Sequence, residues 1–153
     1  MQRRTFLRSS LAAGTAGVAV AAGLLTPQAV FAAWPKAAFD AKDVKSAMSA
    51  IAGGDAPASG DIKIKAPDIA ENGAVVPVTV STGIAGVESI SIFAAKNGTP
   101  LTSSFQLGEG TEAYISTRIK MGKTSDVIAL VKAGGKLYSS KKAVKVTIGG
   151  CGG

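Results

Sequence analysis

A chain of 153 residues, 46% of them hydrophobic and 18% charged, has the composition of one globular domain with one core, not of a disordered chain. It contains no histidine and a single cysteine, which excludes the commonest general base, the usual partner of a catalytic serine or cysteine, the commonest transition-metal ligand and any internal disulfide. The formal charge is +7, but the lysines are interleaved with acids and only 5% of residues are aromatic, which is not the pattern of a nucleic-acid binder.

The amino terminus, Gln2-Arg3-Arg4-Thr5-Phe6-Leu7-Arg8, resembles a twin-arginine export signal, in which paired arginines are followed by an apolar pair and a further basic residue. Arg3 and Arg4 are then the recognised pair. Leu11 to Leu25 carries no charge, but it is rich in Ala and Gly and shorter than the ~20 apolar residues of a spanning helix, so a signal is expected and not an anchor. Val30-Phe31-Ala32 suits a signal peptidase, which makes 1–32 the signal peptide and leaves no membrane attachment after its removal. Loss of Arg3, Arg4 and Arg8 lowers the formal charge from +7 to +4. The expected compartment is the bacterial periplasm, where paired cysteines oxidise. Cys151 has no second cysteine in its own chain, and is free, bonded to another chain or bonded to something small.

Residues 33–148 are expected to form the domain, with 33–54 as an amino-terminal helical segment. Val44, Ala47, Met48 and Ile51 follow helical spacing within a helix from Ala37 to Ala52, with Asp40 capping its first turn and Gly53-Gly54 ending it. Trp34 and Phe39 are expected to anchor this segment on the domain. After "GGDAPASG" the period becomes two: Ile62 and Ile64, then Val76, Val78 and Val80, then Ile90 and Ile92, then Ile115, Thr117, Ile119 and Met121. "DVIALVKA" reads as a buried run, and Val144, Val146 and Ile148 align along a last strand. Turn signals fall between these runs at Asn72-Gly73, Gly83 to Gly86, Asn97-Gly98, Gly108 to Gly110, Gly122 and Gly134-Gly135. About seven short strands at this spacing predict a mainly β fold, a two-sheet sandwich, with Pro77 at a strand edge or a bulge because it cannot donate to a ladder.

The ten carboxylates are scattered, and "GEGTE" lacks the lysine and the strand-to-helix context of a phosphate loop, so no autonomous enzyme is expected. The remaining feature is the ending "KVTIGGCGG", in which 149–153 form an arm. Gly149, Gly150, Gly152 and Gly153 remove side-chain bulk around Cys151 and leave the backbone free to bend. The cysteine can reach ~10 Å beyond a strand ending at Ile148, at about 3.5 Å per extended residue. Such an arm fits a narrow pocket on another protein. A thiol with the reference pKa of ~8.5 is only about 3% thiolate at neutral pH, so activation has to come from the host pocket.

The twin-arginine signal, "PDIAENGAVVPVTV", "STRIKM" and "VKVTIGGCGG" together resemble the sulfur-oxidation carrier family SoxY, across essentially the whole mature chain. The resemblance implies an immunoglobulin-like sandwich, a heterodimer with a SoxZ-like subunit, and a carrier role in periplasmic thiosulfate oxidation with no cofactor of its own. It also implies that Cys151 is the covalent attachment point for sulfur, loaded oxidatively by a c-type cytochrome pair. A manganese-dependent hydrolase then releases sulfate, and a molybdenum-containing dehydrogenase oxidises the remaining sulfane. Two other classes stand beside this one. A non-catalytic exported adhesion or assembly sandwich would use Cys151 only for a disulfide-linked dimer, whereas a ubiquitin-like carrier would hold sulfur on Gly153 and need ATP. Lys141, Lys142 and Lys145 read as a solvated strand face near the arm, and Arg118 as a cross-sheet, partner-facing or ordinary surface charge.

Overall fold

The computed structural model describes residues 35–147, apart from 54, 55, 57 and 60. The signal segment, Trp34, Ile148 and the glycine-cysteine arm lie outside the described residues. The chain runs α1 (Lys36–Asp40), α2 (Val44–Ala52), β1 (Ile62–Lys65), β2 (Ile69–Ala70), β3 (Val76–Thr82), β4 (Val87–Ala94), β5 (Leu101–Gln106), β6 (Tyr114–Ile119), β7 (Ser125–Ala133) and β8 (Lys136–Val146).

The strands form two sheets, β1-β3-β6 and β2-β8-β7-β4-β5. This is the expected two-sheet sandwich: β1, β3 and β6 take the places of strands A, B and E of an immunoglobulin-type domain, and β4, β7 and β8 those of C, F and G. The alternating residues do what their period requires. Val76, Val78 and Val80 of β3 and Ile119 of β6 turn inward, against Ile90, Ile92, Val127, Ala129, Val131 and Val144 of the other sheet, and all are buried. At about 25 cal/mol per Å² of apolar surface, each such side chain contributes roughly 1.5–3 kcal/mol when withdrawn from water.

The larger sheet is covered on its other side as well. Phe93 and Leu130 face outward from β4 and β7 and meet Ala38, Phe39, Ala47, Met48 and Ile51 of the two helices. Hence Phe39 anchors the helical segment as expected, and β4 is buried on both faces, with Ser91 hidden through a 2.8 Å hydroxyl pair with Ser104 of β5.

Two expectations about the helical segment are corrected. The single helix from Ala37 to Ala52 is two helices, because Ala41 leaves helical geometry (φ −59°, ψ 140°). Asp43, and not Asp40, caps the second helix, accepting from the Ser46 N–H at 2.9 Å. Asp40 closes α1 and pairs with Lys36 one turn back. The expected count of about seven strands is met by eight, of which β2 and β5 show no clear alternation, and β8 starts at Lys136, directly after a two-residue turn at Gly134-Gly135. Both glycines have positive φ (55° and 72°), as a tight hairpin needs. Gly53 ends α2 as expected, with φ 68° and its N–H on the Ser49 carbonyl. Pro77 lies in the middle strand of the small sheet, yet β1 stops at Lys65 opposite Thr79, so the strand is locally an edge at the proline.

Candidate functional site

Cys151 with Gly149, Gly150, Gly152 and Gly153, and likewise Arg3 and Arg4, lie outside the described residues. What the structure describes is the end of β8, which precedes the glycine-cysteine arm in the chain. β8 is the longest strand among the described residues, and its end is hydrogen-bonded on both sides.

On one side β8 pairs in parallel with β2, Ile69 opposite Lys145 and Ala70 opposite Val146. The Lys145 N–H donates to the Asp68 carbonyl at 2.9 Å and the Thr147 N–H to the Ala70 carbonyl at 3.1 Å. On the other side β7 ends at Ser125, opposite Val144. There the Thr124 side chain continues the ladder: its hydroxyl accepts from the Val146 N–H at 2.9 Å and donates to the Val146 carbonyl at 3.2 Å. A hydroxyl can do both because it carries one proton and two lone pairs. Backbone groups alternate in direction along a strand, so β2 satisfies Lys145 and Thr147 while Thr124 satisfies Val146.

Gly73 completes the seat. Its carbonyl accepts from the buried Met121 N–H at 2.7 Å, and a Cβ at this position would lie 2.4 Å from the Met121 carbonyl oxygen and 2.8 Å from Val146 Cγ1. Only glycine lets the three segments approach so closely. The last of these bonds is at Thr147, four residues before Cys151, a stretch that spans at most about 14 Å when fully extended at ~3.5 Å per residue. Thr124, β2 and the packing role of Gly73 escaped sequence reasoning. The only signal was the Asn72-Gly73 pair, which reads simply as a turn.

The lysines near this end do not act as one face. Lys141 and Lys145 lie on the outer face and Lys142 on the inner register of the sheet, half-buried. Lys142 pairs with Asp68 at 3.0 Å and Lys141 with Asp126 at 3.8 Å, leaving Lys145 exposed and without an ion pair among the described residues. The solvated-face expectation thus holds for Lys141 and Lys145 and is corrected for Lys142. Arg118 is a surface charge opposite Pro77, also without an ion pair among the described residues. Two carboxylates are held below their usual range, Asp43 by the Ser46 hydroxyl and N–H, and Glu88 by the Gly135 N–H and then Lys132. Neither lies at the arm root. Among the described residues no three metal-ligating side chains come together, and no helix is long and apolar enough to cross a membrane.

Known proteins resemble this chain as follows. The solved structure of the sulfur carrier protein SoxY from Chlorobium limicola f thiosulfatophilum is 45% identical, with a TM-score of 0.63 over 69% of this chain and 97% of its own. Two structures of superoxide reductase (neelaredoxin) from Ignicoccus hospitalis, the first of them a point variant, are 19% and 20% identical, each with a TM-score of 0.50 over 56% of this chain and 79% and 80% of theirs, a likeness of fold alone. Comparison with curated protein sequences gives no match. The family model described as sulfur oxidation protein SoxY matches residues 48–151, a span that closes on the cysteine. With the family pattern running through most of the domain and a 45% identical relative covered almost end to end, the chain belongs to the SoxY family of sulfur oxidation proteins.

Proposed function

We propose that the mature protein is a periplasmic carrier that holds sulfur intermediates of thiosulfate oxidation covalently on Cys151 and presents them to partner enzymes, with residues 1–32 serving as its twin-arginine signal. The observation that carries this reading is the contrast at the end of β8. Thr124 and β2 hold the strand rigidly through Thr147, and the chain's only cysteine follows four residues later between pairs of glycines. A rigid seat with a thin thiol-bearing extension suits delivery into deep pockets.

The chemistry asks of the carrier only a sulfur nucleophile. Thiosulfate and the Cys151 thiol lose two electrons and one proton as their sulfurs join, giving Cys–S–S–SO₃⁻; the electrons pass to a c-type cytochrome. Water then cleaves the terminal S–S bond, releasing sulfate and leaving a persulfide, which a sulfane dehydrogenase oxidises. Thiolate activation and hydrolysis belong to these partners, in keeping with a chain that has no histidine. A SoxZ-like subunit is the expected stable partner, and the carrier needs no cofactor of its own.

The test pairs two variants. Cys151→Ser is expected to fold normally, within about 0.5 kcal/mol of wild type as for other exposed positions, and to lose thiosulfate-dependent turnover with reconstituted partner enzymes. Gly150→Val is expected to slow turnover while its thiol reacts with a small alkylating reagent at the wild-type rate, because bulk hinders threading but not solvent access. Full turnover in Cys151→Ser would overturn the carrier assignment. Wild-type turnover in Gly150→Val would instead favour an arm that serves only as a disulfide linker between two chains.

A further inference from the structure

A cleft of about 570 Å³ is bounded by Lys42, Lys96, Lys120 and Lys123 together with Asn97 and Thr99. Its lining contains no acidic residue. Lys36, Lys132, Lys141 and Lys142 each sit against a carboxylate, whereas none of the four cleft lysines has an ion pair among the described residues. The nearest acid in sequence, Asp43, does not line the cleft, and its carboxylate accepts from the Ser46 N–H at 2.9 Å and hydroxyl at 2.6 Å. Four unpaired like charges around one concavity repel one another and concentrate anions there.

The cleft is built and not incidental. The Asn97 side chain donates to the Lys120 carbonyl at 2.7 Å and accepts from the Gly122 N–H at 2.9 Å, locking the turn after β4 to the turn after β6. Lys96 and the pair Lys120 and Lys123 are thereby held on facing loops. The break between α1 and α2 puts Lys42 on the third wall. The same β6–β7 turn carries Met121 and Thr124, which seat Gly73 and Val146. Lys123 is thus one residue from the hydroxyl that holds the end of β8, and Cys151 is five residues past Val146, at most about 17 Å of fully extended chain.

Resting on the carrier reading above, we propose that this lysine cleft is a binding site for a sulfur oxyanion, and that it receives the sulfonate end of the cargo carried on Cys151. Ammonium groups act as mobile point charges and do not impose the planar, two-pronged geometry of a guanidinium. They suit a tetrahedral –SO₃⁻ group that must be held weakly between enzymes and then given up. Because the lysines are solvated, the attraction weakens with salt over a screening length of about 8 Å at physiological ionic strength.

The test loads the arm without any partner enzyme. With tetrathionate, the Cys151 thiolate attacks an inner sulfur, the central S–S bond breaks, thiosulfate leaves with the electron pair, and the product is Cys–S–S–SO₃⁻; the thiol proton goes to buffer. Lysine acylation by a small amine reagent, read by peptide mass spectrometry, is compared with that of protein capped on Cys151 by neutral iodoacetamide. Lys42, Lys96, Lys120 and Lys123 are expected to react at least about threefold more slowly in the loaded form, and Lys63 and Lys136 at unchanged rates. In a Lys120→Gln/Lys123→Gln variant the protection of Lys42 and Lys96 should vanish. Millimolar sulfate added to Cys151→Ser separates the sources: protection there assigns the cleft to free oxyanions as well, and protection only in the loaded protein assigns it to the tethered group. Equal rates in loaded and capped protein, or equal slowing of every lysine, would overturn the site. Because loading is chemical, that outcome is independent of whether Cys151 carries sulfur in turnover.

Discussion

Replacing Gly73 by alanine tests the seat of the arm most directly. The added Cβ would lie 2.4 Å from the Met121 carbonyl oxygen and 2.8 Å from Val146 Cγ1. Carbon atoms pack at about 3.5–4.0 Å, so segments must part by about 1 Å. One of the obstructing atoms is backbone, next to the Met121 N–H that donates to Gly73 at 2.7 Å, so rotation of a side chain cannot relieve the clash. Overpacking costs about 1–3 kcal/mol, and weakening that hydrogen bond about 1 kcal/mol more. The expected loss is therefore about 2–4 kcal/mol, which lowers the melting temperature of a domain this size by roughly 10 °C. Thermal unfolding of the mature protein, followed by circular dichroism, measures it. Gly83→Ala is the matched control, since nothing lies within 4 Å of its Cβ, and it should stay within about 0.5 kcal/mol of wild type. If the two variants melted within about 2 °C of each other, the close approach of Gly73 to Met121 and Val146 would not be what holds this corner.

Thr124→Val keeps the shape of the side chain and removes both bonds to Val146. Because the site is exposed and water can substitute, the cost should be about 1 kcal/mol, with hydrogen exchange at the Val146 amide about fivefold faster and the Lys145 and Thr147 amides, held by β2, little changed; an unaltered Val146 amide would refute the clamp. Glu88 is held below the usual carboxylate range by the Gly135 N–H and by Lys132, so its contribution is fully present above its unfolded pKa and is lost as pH falls through the lower folded value. The stability gap between wild type and Glu88→Gln should accordingly be present at pH 7 and close in acid, and denaturation midpoints that keep a constant gap down to pH 3 would contradict it. Replacing Arg3 and Arg4 together by lysine should strand the precursor in the cytoplasm, because an ammonium does not reproduce the planar donor fork of a guanidinium; mature-sized protein in the periplasm of that mutant would sink the export assignment.

The sequence by itself determined the sandwich and the family. Alternation at Val76, Val78 and Val80 and at Ile115, Thr117 and Ile119 assigns the inner face of the small sheet, since a period of two leaves a half-buried strand no other way to turn. Glycine pairs marked the turns because their backbone geometry is local. The ending of the chain carried the functional reading because sulfur chemistry needs one residue type, and Cys151 is the only one present. Only the tertiary structure decided what local pattern cannot encode. β5 was hidden because Ser103 points inward with Phe105 and Ser104 pairs with Ser91 across the sheet, so the alternation of its polar residues is masked. The helix break was hidden because Asp40 and Asp43 are both acceptable caps by type, and Asp43 prevails where Ala41 extends and the helices fold onto Phe93 and Leu130. The seat of the arm joins Gly73, Thr124 and Val146, and the lysine cleft joins Lys42, Lys96, Lys120 and Lys123. These residues are far apart in the chain, and their convergence depends on how two sheets and their connecting turns pack, a property of the folded domain and not of any stretch of it.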